Sequence, residues 1–229
     1  MTDAARTVLL DVDGTLLDSN DAHAHSWVDT AREFGLDTPF DVVRPMIGMG
    51  GDKLMPAAFG VDHDSPEGKR MAKRRGEIFR ERYLPRLRPF PDARALLERL
   101  LRDGYTLVVA TSAQEDEMKD LVKAAGVEDL LEEATSSGDA DSSKPDPDIV
   151  EAALDKAEAS PGDAIMLGDT PYDVEAATRA GVAIVALRCG GWSDEELRGA
   201  IAVYADPAEL LRVYDQSPFA ERARAAARR

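Results

Sequence analysis

The chain has 229 residues, 44% of them hydrophobic, enough for one domain of ordinary size or one domain carrying a smaller insertion. Its 28 Lys and Arg against 44 Asp and Glu give a formal charge of −16, which repels nucleic-acid phosphates and excludes a general nucleic-acid binder. No run approaches the ~20 apolar residues of a membrane span, Asp3 and Arg6 precede any apolar run and argue against a signal peptide, and the single cysteine, Cys189, leaves no internal disulfide framework and suits a reducing cytoplasm. The same charge would repel a small anionic substrate, so a phosphate site here must supply its own positive charge from a metal ion or a placed lysine.

In chain order, the first apolar run is Thr7–Leu10, inside the stretch "VLLDVDGTLLDSN" that places Asp11 and Asp13 one residue apart and follows them with Gly14. From about Asp18 to Leu87 there is no strand-like run. Trp27, Val28, Ala31 and Phe34 form one helical stripe, Asp52–Phe59 a short helix and Pro66–Leu84 a long charged one. Pro85, Pro89 and Pro91 mark the return. Strand-like runs resume at Thr106–Ala110, Ala164–Leu167 and Val182–Leu187, short and rich in Val, Leu and Ile as parallel strands buried on both faces are. Amphipathic segments alternate with them. "DARALLERLLRDG" carries Ala93, Leu96, Leu97, Leu100 and Leu101 on one face and ends at Gly104; "DIVEAALDKAEA" and "YDVEAATRAG" follow the same pattern, the second closing on Gly181. The tail "AERARAAARR" reads as a solvated terminal helix. The fold class this predicts is α/β: a Rossmann-like doubly wound parallel sheet from residues 1–17 and 88–229, with an α-helical domain, residues 18–87, inserted after the first strand.

Ligands of open α/β sheets bind beyond the carboxyl ends of the strands. Here those ends run into Asp11 and Asp13, into Thr111 and Ser112, and into Asp169 with Asp173 one helical turn later. Any one of these suits a helix N-cap equally well. Acids converging from separate strands repel each other unless a cation sits among them, and a hard divalent ion such as Mg²⁺ takes carboxylates together with substrate phosphate. Lys144, in "SSKPDP", is the cation available to complement the phosphate, and Pro145 and Pro147 restrict the backbone around it.

"DVDGTLLDS", "ATSA", "SSKPDPD" and "GDTPYD" stand in the order and with the residue types of the four motifs of the haloacid dehalogenase superfamily, which the chain resembles from Leu9 to Asp173. The helical insert resembles the family's cap between the first and second motifs, the placement found in the branch of phosphoglycolate phosphatase-like enzymes and β-phosphoglucomutase. The resemblance implies that Asp11 is the nucleophile forming an aspartyl-phosphate and Asp13 the general acid and base. It implies that Mg²⁺ is held by Asp11, Asp169 and the Asp13 carbonyl, with Asp173 supporting it directly or through water. Thr111, Ser112, Gly14 and Lys144 would then hold the phosphoryl group. Dehalogenases of the superfamily lack the second acid, so Asp13 argues against that chemistry.

The insert is expected to choose the substrate. "RPMIGMGGDKL" resembles the cap specificity loop: Gly48 permits close approach, and Arg44 and Lys53 are candidates to meet an anionic leaving group, though a plain helix–helix turn with two solvated cations is as good a reading. His23 stands where related enzymes place a histidine facing the catalytic acid. β-Phosphoglucomutases carry Ser-Arg where this chain has Gly50 and Gly51, which favours hydrolysis over mutation. The expectation is a cytoplasmic Mg²⁺-dependent phosphatase of a small phosphorylated metabolite, monomeric or a small homo-oligomer. The alternatives are a phosphomutase or, more remotely, a phospho-accepting signalling protein. No P-loop of the G-x-x-x-x-G-K-[ST] form is present.

Overall fold

The computed structural model describes residues 6–131 and 133–226; Asp3 and the last three residues of the basic tail lie outside them. In chain order the elements are β1 (Arg6–Leu10), α1 (Asn20–Glu33), α2 (Phe40–Val43), α3 (Gly51–Phe59), α4 (Pro66–Ile78), α5 (Ala93–Arg102), β2 (Tyr105–Ala110), α6 (Glu115–Ala125), β3 (Glu133–Thr135), α7 (Asp148–Lys156), β4 (Ala164–Gly168), α8 (Pro171–Arg179), β5 (Ala183–Leu187), β6 (Ala202–Tyr204), α9 (Pro207–Arg212) and α10 (Pro218–Ala226). The strands form one six-stranded sheet, β3-β2-β1-β4-β5-β6, parallel at every pairing.

Because side chains alternate along a strand, each apolar run feeds both faces. Val8, Leu10, Leu107, Val109, Ile165, Leu167, Val185 and Leu187 join the layer of α5, α6, α9 and α10. Leu9, Val108, Ala110, Met166, Ile184 and Ala186 join the layer of α7 and α8. That two-sided burial is why these runs contain no polar alternation, and each fully buried leucine contributes about 1.5–3 kcal/mol of transfer free energy. The two outermost strands carry no such signature. β3 and β6 are three-residue edges, and the sequence reading has neither.

The chain leaves β1, returns to add β2 and then β3 on one side, and crosses over to add β4, β5 and β6 on the other. The carboxyl ends of β1 and β4 therefore flank the point where strand order reverses, the crevice where such sheets bind ligands. Between β1 and β2 lie only helices and turns. They pack around an apolar cluster of their own made by Ala24, Trp27, Ala31, Val43, Ile47, Leu54, Met55 and Met71. The two connections to this helical layer run side by side: Leu17 bridges Pro89, the Asp18 N–H donates to the Arg88 carbonyl at 3.0 Å, and the Phe90 N–H donates to the Leu16 carbonyl at 3.0 Å.

Candidate active site

Asp11 leaves β1 and Asp169 leaves β4, adjacent strands in register, while Asp173 sits in the first turn of α8. Their carboxylate oxygens lie within 4.8 Å of one another, and all three residues are buried. Asp173 keeps its helix-capping job with one oxygen: Oδ2 accepts from the Thr170 N–H at 3.0 Å and the Thr170 hydroxyl at 2.7 Å. Its Oδ1 is 2.6 Å from the Lys144 ammonium, which also donates to Asp11 Oδ1 at 2.6 Å. Asp169 accepts from Thr15 Oγ1 at 2.9 Å and Asn20 Nδ2 at 2.9 Å.

One ammonium does not neutralise this cluster. Burial pushes the Asp11 carboxyl up to about 8, against the opposing pull of Lys144 and with Asp173 and Asp13 adding to it. Burial, then Asp11 and Asp173, pushes Asp169 well above the carboxylate range. The Asn20 side-chain oxygen, on the same amide that binds Asp169, is buried without a hydrogen-bond partner among the described residues. Three buried oxygen donors short of positive charge fit a hard cation, whose chemistry is to hold and polarise oxygen ligands.

Asp13, two residues on, is in different company. Its Oδ1 accepts from the Ser19 hydroxyl and lies 2.7 Å from His23 Nε2. The other ring nitrogen, Nδ1, meets Arg75. A guanidinium only donates, so Nδ1 accepts and the proton stands on Nε2, facing Asp13. Burial alone would raise Asp13, but His23, Ser19 and Arg75 outweigh it and hold the carboxyl below its ordinary value. Arg75 is itself anchored by both Glu117 oxygens at 2.6 Å and by Ser26 at 3.1 Å, with Phe79 stacked on the His23 ring at 4.3 Å. Arg75 comes from α4 in the helical layer and Glu117 from α6 beside the sheet, so the pair spans the crevice between the layers.

A cavity of about 510 Å³ opens here, with Asp11, Asp13, Thr111 and Ser112 on the sheet side and His23, Gly48, Trp27 and α4 on the other. The structure thus brings Asp11, Asp13, Thr111, Ser112, His23 and Gly48 to one cavity, with Lys144, Asp169 and Asp173 buried behind Asp11. It does not bring Arg44 or Lys53 there. Arg44 binds Asp21 at 2.6 Å and the Gly190 carbonyl at 2.6 Å, and Lys53 binds Asp146 at 2.5 Å. Arg44 reaches the sheet side through the Gly190 carbonyl and Lys53 through Asp146, so both cations latch the helical layer onto the sheet loops. Gly50 makes this approach possible: a Cβ there would lie 2.4 Å from that of Ser143. Gly14 also departs from expectation as a phosphate donor, since its N–H is already given to the Leu17 carbonyl at 2.8 Å. Its place is steric. With φ +76° and a would-be Cβ 2.3 Å from Asp169 Oδ2, it lets the loop cross the acid cluster. Cys189 is no nucleophile; burial and then Asp169 push its thiol up, and it donates to the Gly14 carbonyl at 3.2 Å.

The sequence reading missed Arg75, Glu117, Asn20 and Thr15. A usable signal existed for the first: Met71, Arg75 and Ile78 share the buried face of α4 at i, i+4, i+7, and a charge on such a face is held by something. Glu117 is one of three acids in the first turn of α6, where all three suit the helix terminus, so nothing marks it out.

Fold and site together define a doubly wound α/β protein with a carboxylate-based, cation-seeking centre beneath a helical layer. The chain belongs to the haloacid dehalogenase-like hydrolase family, which matches residues 8–187. It is 31% identical over 216 residues to a phosphoglycolate phosphatase of Rhodospirillum rubrum, covering 90% of this chain and 89% of that one. A hydrolase from Pseudomonas syringae superposes with a TM-score of 0.85 at 27% identity, over 93% of this chain and 98% of the other. A β-phosphoglucomutase from Clostridium difficile shares the fold, with a TM-score of 0.78 at 18% identity over 95% and 98% of the two chains. Among the described residues no helix is long and apolar enough to cross a membrane.

Proposed function

We propose that this phosphatase-class hydrolase cleaves small phosphate monoesters by transfer of the phosphoryl group to Asp11 and then to water. The observation that carries the reading is the opposite treatment of two neighbouring carboxylates facing one cavity: Asp11 is bound to an ammonium and a cation-seeking cluster, Asp13 to an imidazole N–H and a hydroxyl. Divergent environments assign divergent roles.

In the first step an Asp11 oxygen attacks phosphorus and the bond from phosphorus to the ester oxygen breaks. Asp13 delivers a proton to that leaving oxygen. Asp13 rests ionised, and an arriving phosphate dianion raises its affinity for a proton, which arms it as the acid. In the second step Asp13, again a base, takes a proton from water as the water oxygen attacks phosphorus, releasing inorganic phosphate and restoring Asp11. Proton transfer of this kind is typically worth ~10²–10⁴-fold in rate. Lys144 keeps Asp11 oriented and offsets charge on the phosphoryl oxygens, and Thr111 and Ser112 hold those oxygens from the end of β2. We assign the cation to Mg²⁺, which Asp11, Asp169 and the Asp13 carbonyl would hold, with Asp173 supporting it directly or through water; when bound it supplies positive charge to the phosphoryl oxygens. The helices of 18–87 act as a cap, excluding water from the crevice and contacting the leaving group. The single cysteine, which leaves no internal disulfide, supports a reducing cytoplasmic setting.

A phosphomutase is the second reading, consistent with the shared β-phosphoglucomutase fold; Gly50 and Gly51 weigh against it. The test is Asp11→Asn, which keeps the side-chain shape and removes the attacking charge. Turnover of an aryl phosphate should fall to background and labelling of the protein from a phosphate donor should disappear. Wild-type-like release of phosphate by that variant would overturn the reading. Free inorganic phosphate as the product from a sugar monophosphate, rather than an isomeric ester, separates phosphatase from mutase.

A further inference from the structure

Lys144 reaches the reacting centre from an irregular loop, residues 140–147, between β3 and α7. Its ammonium is buried between Asp11 and Asp173, 2.6 Å from each, so its placement depends on what holds that loop. From the sheet side come Ser112, whose hydroxyl accepts from the Lys144 N–H at a long 3.4 Å, and Arg179, which reaches the Pro145 carbonyl at 3.3 Å and Asp146 at 2.8 Å. The helical layer grips the loop from the other side, on both flanks of Lys144. Before the lysine, the Ser143 hydroxyl donates to Asp52 Oδ1 at 2.5 Å and accepts from the Gly50 N–H at 3.1 Å, and the Ser143 N–H donates to Asp52 Oδ2 at 3.3 Å. After it, Asp146 takes the Lys53 ammonium at 2.5 Å.

Asp52 lies in the first turn of α3, where an acid suits the helix terminus without further purpose. Both of its oxygens are turned instead onto Ser143, a buried residue on the sheet side. Fastening alone is supplied elsewhere, by Arg44 on the Gly190 carbonyl and by the Tyr172 hydroxyl on the Pro45 carbonyl at 2.6 Å. Gly50 shows how closely the contact at Ser143 is built, since a Cβ there would fall 2.5 Å from the serine Oγ. Successive Cα atoms are ~3.8 Å apart, so a shift of the Ser143 backbone passes directly to Lys144. The lysine side chain, 1% exposed, is packed too closely to absorb that shift by changing rotamer.

We propose that Asp52 is a positioning residue for Lys144: from the helical layer, and through Ser143, it holds the loop that presents the ammonium to Asp11, Asp173 and the phosphoryl group. This rests on the phosphatase reading and adds that the layer acts on the phosphoryl end of the reaction as well as on the leaving group. Undocking the first turn of α3 would release Ser143, let the lysine retreat from Asp11, and leave the attacking carboxylate poorly oriented with substrate in place. The other flank is less sensitive, because Arg179 shares Asp146 with Lys53. Ser143 has Asp52 as its one acidic partner among the described residues.

The test follows aryl phosphate hydrolysis with Mg²⁺ present, and its inhibition by orthophosphate, which fills the phosphoryl position and has no leaving group for the helical layer to touch. Asp52→Ala should lower kcat about tenfold, since a ~1 Å misplacement can cost up to ~100-fold, and should raise the inhibition constant of orthophosphate about fivefold. Asp52→Asn, whose amide oxygen still accepts from Ser143, should keep kcat within about threefold of wild type. Ser143→Ala should reproduce Asp52→Ala, and the double variant should be no worse than either single one, because the same connection is lost. Tyr172→Phe gives up a bond between the same two layers and keeps its ring, so it should stay within about twofold on both readouts. Circular dichroism checks that each variant is folded at the assay temperature, and Ser143→Ala carries the test if Asp52→Ala is not. Wild-type kcat and orthophosphate affinity in Asp52→Ala and Ser143→Ala, losses that multiply in the double variant, or an equal loss in Tyr172→Phe would each overturn the proposal and leave the phosphatase reading standing. A wild type that releases no phosphate from an aryl phosphate or a sugar phosphate would fell that reading, and this inference with it.

Discussion

Replacing Arg75 separates the two jobs that residue does. Its guanidinium is 2.6 Å from both Glu117 oxygens, and the side chains of the pair are only 11% and 9% exposed. Arg75→Met keeps most of the volume and removes the charge, leaving Glu117 buried without its partner. Breaking a buried pair from one side costs about 3–5 kcal/mol. For a chain of this size each kcal/mol moves the melting temperature by about 2–4 °C, so the variant should melt roughly 6–20 °C lower. The double variant Arg75→Met/Glu117→Leu removes the stranded charge as well, and buried pairs replaced by apolar residues are often neutral or better. It should recover most of the loss.

Activity should not recover with it. In both variants His23 Nδ1 loses the one donor it has among the described residues, so the tautomer that presents Nε2–H to Asp13 is no longer held. Aryl phosphate turnover should stay at least about tenfold down in the double variant while its melting temperature returns. The assay is a thermal melt followed by circular dichroism alongside steady-state turnover at fixed Mg²⁺. A single variant that melts within about 2 °C of wild type would refute the buried-pair reasoning, and a double variant with full turnover would refute the role of Arg75 in orienting His23.

Two further outcomes follow from the same structure. Excess chelator should abolish turnover, and restoring Mg²⁺ at ~100 times its dissociation constant should add about 2.7 kcal/mol of stability, a rise in melting temperature of about 5–10 °C; full activity in chelator would count against the carboxylate cluster as a cation site. Lys53→Ala should leave KM within about twofold, because Lys53 binds Asp146 and not the cavity, and should cost under ~1 kcal/mol, as partly exposed pairs do. The side-chain bond to Lys53 holds Asp146 below its ordinary value, so this contribution is present above the unfolded carboxylate range near pH ~4 and lost as pH falls through the lower folded value. Urea melts at pH 7 and pH 3 should show the gap between wild type and variant closing at acid pH, and a widening gap would be the contrary result.

The sheet was legible wherever burial on two faces forces a run of apolar residues. Thr7–Leu10 and Ala164–Leu167 announce themselves because every residue touches one helical layer or the other. β3 and β6 could not be read that way. An edge strand needs only one neighbour, so "EAT" and "AVY" carry little more apolar pattern than the loops around them. The catalytic end was legible for a similar reason of scarcity. Few physical arrangements tolerate Asp11, Asp169 and Asp173 within 4.8 Å of one another, so Asp11 and Asp169 at strand ends, with Asp173 one turn into the next helix, were informative before any distance was known.

The helical layer resisted because its charges compete. Arg44, Lys53, Lys69, Lys73 and Arg75 are interchangeable in composition, and a specificity loop was the natural place to look for the ones that meet substrate. What decides between them is which acid each cation finds first. Arg44 pairs with Asp21 of α1 and reaches the Gly190 carbonyl, Lys53 pairs with Asp146, and their charge is spent holding the layer down. Arg75 lies on the apolar stripe with Met71 and Ile78 and is buried against Glu117. Only Lys69 and Lys73, on the stripe whose intervening residues are Ala72 and Gly76, face a volume instead of a carboxylate. Helix phase thus divides one charged segment into structural and cavity-lining cations. Moving the lysine of position 73 one residue along α4, as Lys73→Ala with Arg74→Lys, would turn that ammonium by about 100°, toward Glu33 and Glu77, the acids Arg74 now binds. The composition of the cations would be one Arg poorer and their number one smaller, while the cavity would lose one of its two unpaired charges. The effect on KM for the substrate ester should therefore match that of Lys73→Ala alone; a KM unchanged from the wild type in both variants would mean that Lys73 does not reach the substrate.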